Sequence, residues 1–71
     1  MREYLIVVEP TETGFSAYSP DLPGCVSTGQ TAAEVENRIR EAVVFHVEGL
    51  VSEGQQIPEP KTYSTYITVS S

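Results

Sequence analysis

Between Thr31 and Gly54 the chain carries both ends of one long helix, and the remaining segments must pack around it. Thr31-Ala32-Ala33-Glu34 is a capping box. The Thr31 hydroxyl is placed to accept the Glu34 backbone N–H, and the Glu34 carboxylate to reach back to the Thr31 backbone N–H. Good helix formers run on to Glu53, and Gly54 supplies a left-handed stop. Val35, Ile39, Ala42, Val43, His46 and Leu50 recur at helical spacing as one apolar stripe. Val44, Val47 and Val51 widen the stripe, and Phe45 lies nearly opposite Val43 and Val47. So broad an arc exceeds what one small sheet needs, which makes Val44, Val47 and Val51 candidate positions of an oligomer interface. A small core that uses all the apolar surface within reach would look the same.

Short strands are expected before the helix. Tyr4–Val8 is a β-branched run with apolar residues on both faces, the pattern of a strand with cover on both sides. Pro10 to Gly14 is turn chemistry, so Phe15–Ser19 hairpins back on the first strand. Pro20-Asp21-Leu22-Pro23-Gly24 can extend neither strand nor helix; it is a stiff loop with an apolar residue at its tip. Cys25–Gly29 reads as the third strand. After the helix, Gly54 to Pro60 is a Pro-rich loop. Lys61 to Ser71 then alternates, with Tyr63, Thr65, Ile67 and Val69 on one face and Ser64, Tyr66, Thr68 and Ser70 on the other. The predicted order is β-β-β-α-β, an antiparallel three-stranded meander with one helix packed on the sheet. A helical crossover lets the last strand pair beside the first and makes the first strand central. The opposite sheet face then has no cover from this chain, so Tyr66 joins the candidate interface residues.

Size gives the same indication. A chain of 71 residues makes one domain and buries only about 60% of the surface its unfolded form exposes. Small scaffolds need a staple. With 1 Cys and 1 His, neither an internal disulfide nor a Cys/His zinc site is open to this chain. A partner subunit, as in a homo-oligomer, is the staple that remains.

Charge and chemistry narrow the function. Ten acidic against four basic residues give a net of −6, with a pI near 4.4. The cations Arg2, Arg38, Arg40 and Lys61 form no stripe that could displace counterions from phosphates, so direct nucleic-acid binding is not expected. An acidic surface favours a basic partner, or simply keeps a small protein in solution. No apolar run reaches the ~18 residues of a membrane span, and no secretory signal is legible, so a cytoplasmic location is expected. Catalysis lacks its parts. His46 sits on the core stripe, Cys25 has no cation beside it in sequence, and the carboxylates are scattered. No enzyme activity, metal or cofactor is implied; the residues alone describe a small acidic α+β binding module.

One combination of motifs goes further. Tyr18-Ser19-Pro20-Asp21-Leu22-Pro23-Gly24-Cys25, then Val26 to Gly29, the Thr31/Glu34 cap, the helix end Phe45-His46-Val47-Glu48-Gly49-Leu50 and Ile57-Pro58-Glu59-Pro60 resemble the HicB family of antitoxins. The resemblance covers roughly residues 3 to 60. It implies a partial RNase H-like fold without nuclease carboxylates. It also implies a partner, HicA, a small basic toxin that cleaves mRNA with a histidine and whose active site the antitoxin is expected to occlude. Many family members carry a C-terminal DNA-binding segment. This chain is read as a single HicB-like domain, residues 1–71, without one, so operator binding is not expected. In a toxin contact, Tyr18 and Leu22 would be the apolar anchors and Asp21 the carboxylate, held in place by Pro20 and Pro23. The competing reading of the loop is that it only joins two strands and tucks Leu22 under the helix. The alternative function is a stand-alone oligomeric ligand- or protein-binding module without a toxin. A residual hydrolase would require Asp21 to meet another carboxylate.

Overall fold

The computed structural model describes residues 1–71. Strands β1 (Val7–Pro10), β2 (Phe15–Tyr18) and β3 (Val26–Gly29) are followed by helix α1 (Ala32–Ser52). The sheet order is β1-β2-β3, antiparallel throughout, with Val8 opposite Ala17 and Ala17 opposite Ser27. The meander and the single helix on its face are as expected from the alternation and the cap. The first strand is shifted from the predicted Tyr4–Val8 to Val7–Pro10, taking in Pro10 from the expected turn, and it lies at an edge, not at the centre.

Both helix ends form the bonds their residues suggest. Thr31 Oγ1 accepts the Glu34 N–H at 3.1 Å. The Glu34 carboxylate accepts from the Gln30 N–H at 2.6 Å, one residue earlier than the expected partner. At the far end Gly54 takes φ +69°. Its N–H donates to the Val51 carbonyl, and the Gln55 N–H to the Leu50 carbonyl, closing a Schellman motif.

The core is small. Ala17, Val35 and Ile39 are buried together, and Ile6, Val8, Phe15, Ala42 and Val43 pack around them. Helix and sheet touch most closely where Gly29 passes under the first turn. A Cβ on Gly29 would come within 2.9 Å of the Val35 nitrogen, so only glycine fits there. Burial along α1 is confined to Val35 and Ile39. Beyond Val43 the helix overhangs the sheet, and His46, expected in the core, is only half-buried.

The expected fourth strand is not part of this sheet. Residues 61–71 are exposed throughout and carry no strand or helix. The segment before them is held at the N-terminal end: the Tyr4 hydroxyl donates to the Pro58 carbonyl, and Arg2 pairs with Glu59 at 3.7 Å. From there the tail runs free of its own sheet. A compact chain of this length has a radius of gyration near ~11 Å, against 14.0 Å here, with a longest dimension of 50 Å.

Candidate functional site

The sheet face turned away from the helix is the first surface to consider. Strand alternation puts Val7, Tyr18 and Val26 on it, and the antiparallel register sets them side by side across the three strands. Tyr18 is 39% exposed and Val26 67%. Glu9, Ser16 and Thr28 form the next row on the same face. The result is a short apolar row with a carboxylate near it.

This face runs into the Pro loop, which is built from two successive turns. The Leu22 N–H donates to the Ser19 carbonyl and the Cys25 N–H to the Leu22 carbonyl, at 3.2 and 3.1 Å. Gly24 takes φ +89°, a conformation that disfavours any side chain. The turns drive Leu22 inward. It is fully buried, beside buried Cys25, whose Sγ lies 3.9 Å from the Ala42 carbonyl of the helix. Burial also pushes the Cys25 thiol pKa up, which disfavours the reactive thiolate. Leu22 therefore contributes to the protein's own interior, the second of the two readings weighed for this loop.

Asp21 is also engaged within the chain. Its carboxylate accepts the Lys61 and Thr62 backbone N–H groups and the Thr62 hydroxyl, each at 2.9 Å. The Thr62 backbone bond is the largest influence holding its pKa below the ordinary value; partial desolvation opposes it, and the Thr62 hydroxyl and Lys61 reinforce it. The loop thus anchors the root of the C-terminal tail, a role not legible from Asp21 alone. No three His, Cys, Asp or Glu side chains converge anywhere in the chain. No helix is long and apolar enough to cross a membrane.

The residues expected at an interface occupy separate places. Tyr18 lies on the open sheet face and Pro23 is exposed on the loop. Val44 and Val47 line an apolar groove with Tyr4 and Val43 along the overhanging part of the helix. Val51 is exposed at the end of α1, and Tyr66 is exposed on the tail. Val7 and Val26 were not singled out beforehand; the hairpin register, which aligns them with Tyr18, is the signal that identifies them. A second cleft of about 400 Å³, near Thr11, Thr13 and Gln30, is polar. Its two charged groups, Glu34 and Arg38, already pair at 3.7 Å.

Known proteins are similar to this chain in sequence and in fold. A profile of the family described as HicB_like antitoxin of bacterial toxin-antitoxin system matches residues 4–70. An uncharacterized 14.9 kDa protein of Haemophilus phage HP1 is 34% identical over 64 residues, 90% of this chain and 48% of that protein. A UPF0150 protein of Synechocystis is 35% identical over 57 residues, 79% of this chain and 72% of its own length. A chain in a solved HicA3 and HicB3 toxin-antitoxin complex superposes with a TM-score of 0.68 at 38% identity, covering 83% of this chain and 70% of that one. The crystal structure of antitoxin HicB3 gives 0.67 at 38% identity, covering 80% of this chain and 42% of that one. This chain thus spans about half the length of the phage relative. With its α+β architecture matched at that level of identity and nearly its whole length matched by the profile, the chain belongs to the HicB-like antitoxin family of bacterial toxin–antitoxin systems.

Proposed function

We propose that this chain is the antitoxin of a toxin–antitoxin pair and acts without catalysis, by binding a small basic HicA-like toxin and occluding its mRNA-cleaving site. The open sheet face carries the reading. Val7, Tyr18 and Val26 form an apolar row in which Tyr18 and Val26 are exposed and Val7 is half-buried. Aromatic residues in such rows are frequent energetic anchors of interfaces. Pro23 is exposed on the loop that follows β2, and Glu9 in the next row adds a negative charge to the face. A net charge of −6 suits a cationic partner by speeding encounter and rejecting acidic competitors. The solved relative described as part of a HicA3 and HicB3 complex supports the class of partner.

The test is to co-express the chain with the small basic protein encoded beside its gene, then measure complex formation and RNA cleavage. Wild-type chain should suppress cleavage. Tyr18→Asp should restore it while leaving the helix intact by circular dichroism. Binding should weaken as salt rises, because the attraction between the two surfaces is screened. A folded chain that forms no complex with that protein at low salt would exclude this reading and leave the stand-alone module.

A further inference from the structure

The Asp21 carboxylate is held by neutral donors alone. Its Oδ2 accepts the Lys61 and Thr62 backbone N–H groups, and its Oδ1 accepts the Thr62 hydroxyl. No cationic side chain pairs with it. The two ion pairs of the chain join Arg2 to Glu59 and Arg38 to Glu34, and Arg40 turns to Asn37. An ionised carboxylate accepts about four hydrogen bonds, so one position, on Oδ1, stays open. Asp21 is half-buried, whereas Lys61 and Thr62 are exposed. If this clasp opens, water takes the carboxylate's place at both amides, and no donor is left buried without a partner.

The loop that carries Asp21 follows directly on β2, whose last residue is Tyr18. A guanidinium grips a carboxylate best through both oxygens at once. On Asp21 it finds an open position at Oδ1, but it reaches Oδ2 only by displacing the two amides. The root of the tail and an arginine therefore compete for one group, and the arginine brings a full charge that the amides lack. Upstream of the clasp the chain is tied separately, Pro58 to Tyr4 and Glu59 to Arg2. Downstream of it, residues 63–71 are exposed throughout. Opening the clasp thus frees the chain from Lys61 onward and leaves the preceding segment in place.

We propose that Asp21 is a shared carboxylate: an arginine of the basic partner takes it from Lys61 and Thr62, so that docking at the Tyr18 face releases the tail. The device presupposes toxin binding at that face and adds a direction to it. Linkage between two binding events is reciprocal. Whatever draws the tail off the loop tightens the partner's hold, and a tail clasped to the loop holds the partner back.

The two sides of the clasp should then act with opposite signs. The full chain is titrated by calorimetry with the small basic protein encoded beside its gene, and circular dichroism checks that each variant keeps its helix. Thr62→Pro removes an N–H and the hydroxyl but leaves the carboxylate. It should tighten binding by up to about tenfold, because the competent state no longer has to be released from the clasp. Thr62→Val, which removes the hydroxyl alone, should shift affinity the same way by less. Asp21→Asn also opens the clasp but discards the charge, and should weaken binding on the order of tenfold. In the wild-type complex the Lys61 and Thr62 amides should lose the exchange protection they have in the free chain. Amides that stay protected in the complex, or variants on the two sides that shift affinity in one direction or not at all, would overturn the proposal and leave toxin binding standing. A wild-type chain that forms no complex would overturn both.

Discussion

Replacing Leu22 by alanine separates a loop that is anchored in the core from a loop that offers Leu22 to a partner. Leu22 and Val35 are the largest fully buried side chains in the chain, and the two turns around Leu22 leave its backbone no other route. Truncating a buried leucine costs about 2–5 kcal/mol, through lost transfer energy plus the cavity left behind. At roughly 0.05–0.15 kcal/mol per residue, a chain of 71 residues has only about 4–11 kcal/mol in total. A central loss of about 3 kcal/mol therefore lowers Tm by roughly 12–24 °C in a domain of this size. Thermal unfolding followed by circular dichroism of the 21-residue helix measures this directly, at fixed protein concentration. Partner binding, measured well below the new Tm, should remain. An unchanged Tm accompanied by lost binding would refute the burial argument and return Leu22 to the contact surface.

Three further outcomes follow from the same loop. Asp21→Asn should free the root of the tail, seen as faster amide exchange at Lys61 and Thr62. In the wild type, because the folded pKa lies below the ordinary 3.8, those bonds are at full strength above that value and are lost as pH falls through the folded one. An NMR pH titration of the Thr62 amide reads this, and the Asn variant should show no such step. Ser19 Oγ is buried with no hydrogen-bond partner, so Ser19→Ala should stabilise the fold by about 1 kcal/mol, a rise of roughly 4–8 °C in Tm. A fall instead would mean that the hydroxyl has a partner. Cys25, buried and with its thiol pKa raised, should react with a thiol reagent at neutral pH only at the rate of unfolding, and quickly once denaturant is added.

Local chemistry made the helix readable almost to the residue, because Thr31, Glu34 and Gly54 act on backbone groups within a few positions. The turn at Pro10 to Gly14 and the breakers from Pro20 to Gly24 likewise fixed where the meander folds back. What needed the structure was long-range. Alternation in Lys61 to Ser71 says the segment is extended but not which edge it meets, and the contacts of Pro58, Glu59 and Asp21 that send it outward lie 40 or more positions away in the chain. Apolar residues on both faces of Tyr4–Val8 suggested a central strand; the structure leaves one side of that strand open. Leu22 was ambiguous because its identity suits a core and an interface equally, and only the turn geometry decides. Tyr18 is a candidate by its motif, whereas Val7 and Val26 join it only through the register of the hairpins.

Glu34 connects features that lie far apart in function. Its carboxylate caps the helix start at Gln30 and steadies Arg38, which in turn covers the Thr28 carbonyl on the outer strand. Fraying of the first helical turn would therefore strip the sheet's guarded side at the same moment. In this small protein a local melting event at the helix start would thus uncover a backbone acceptor on the far strand as well.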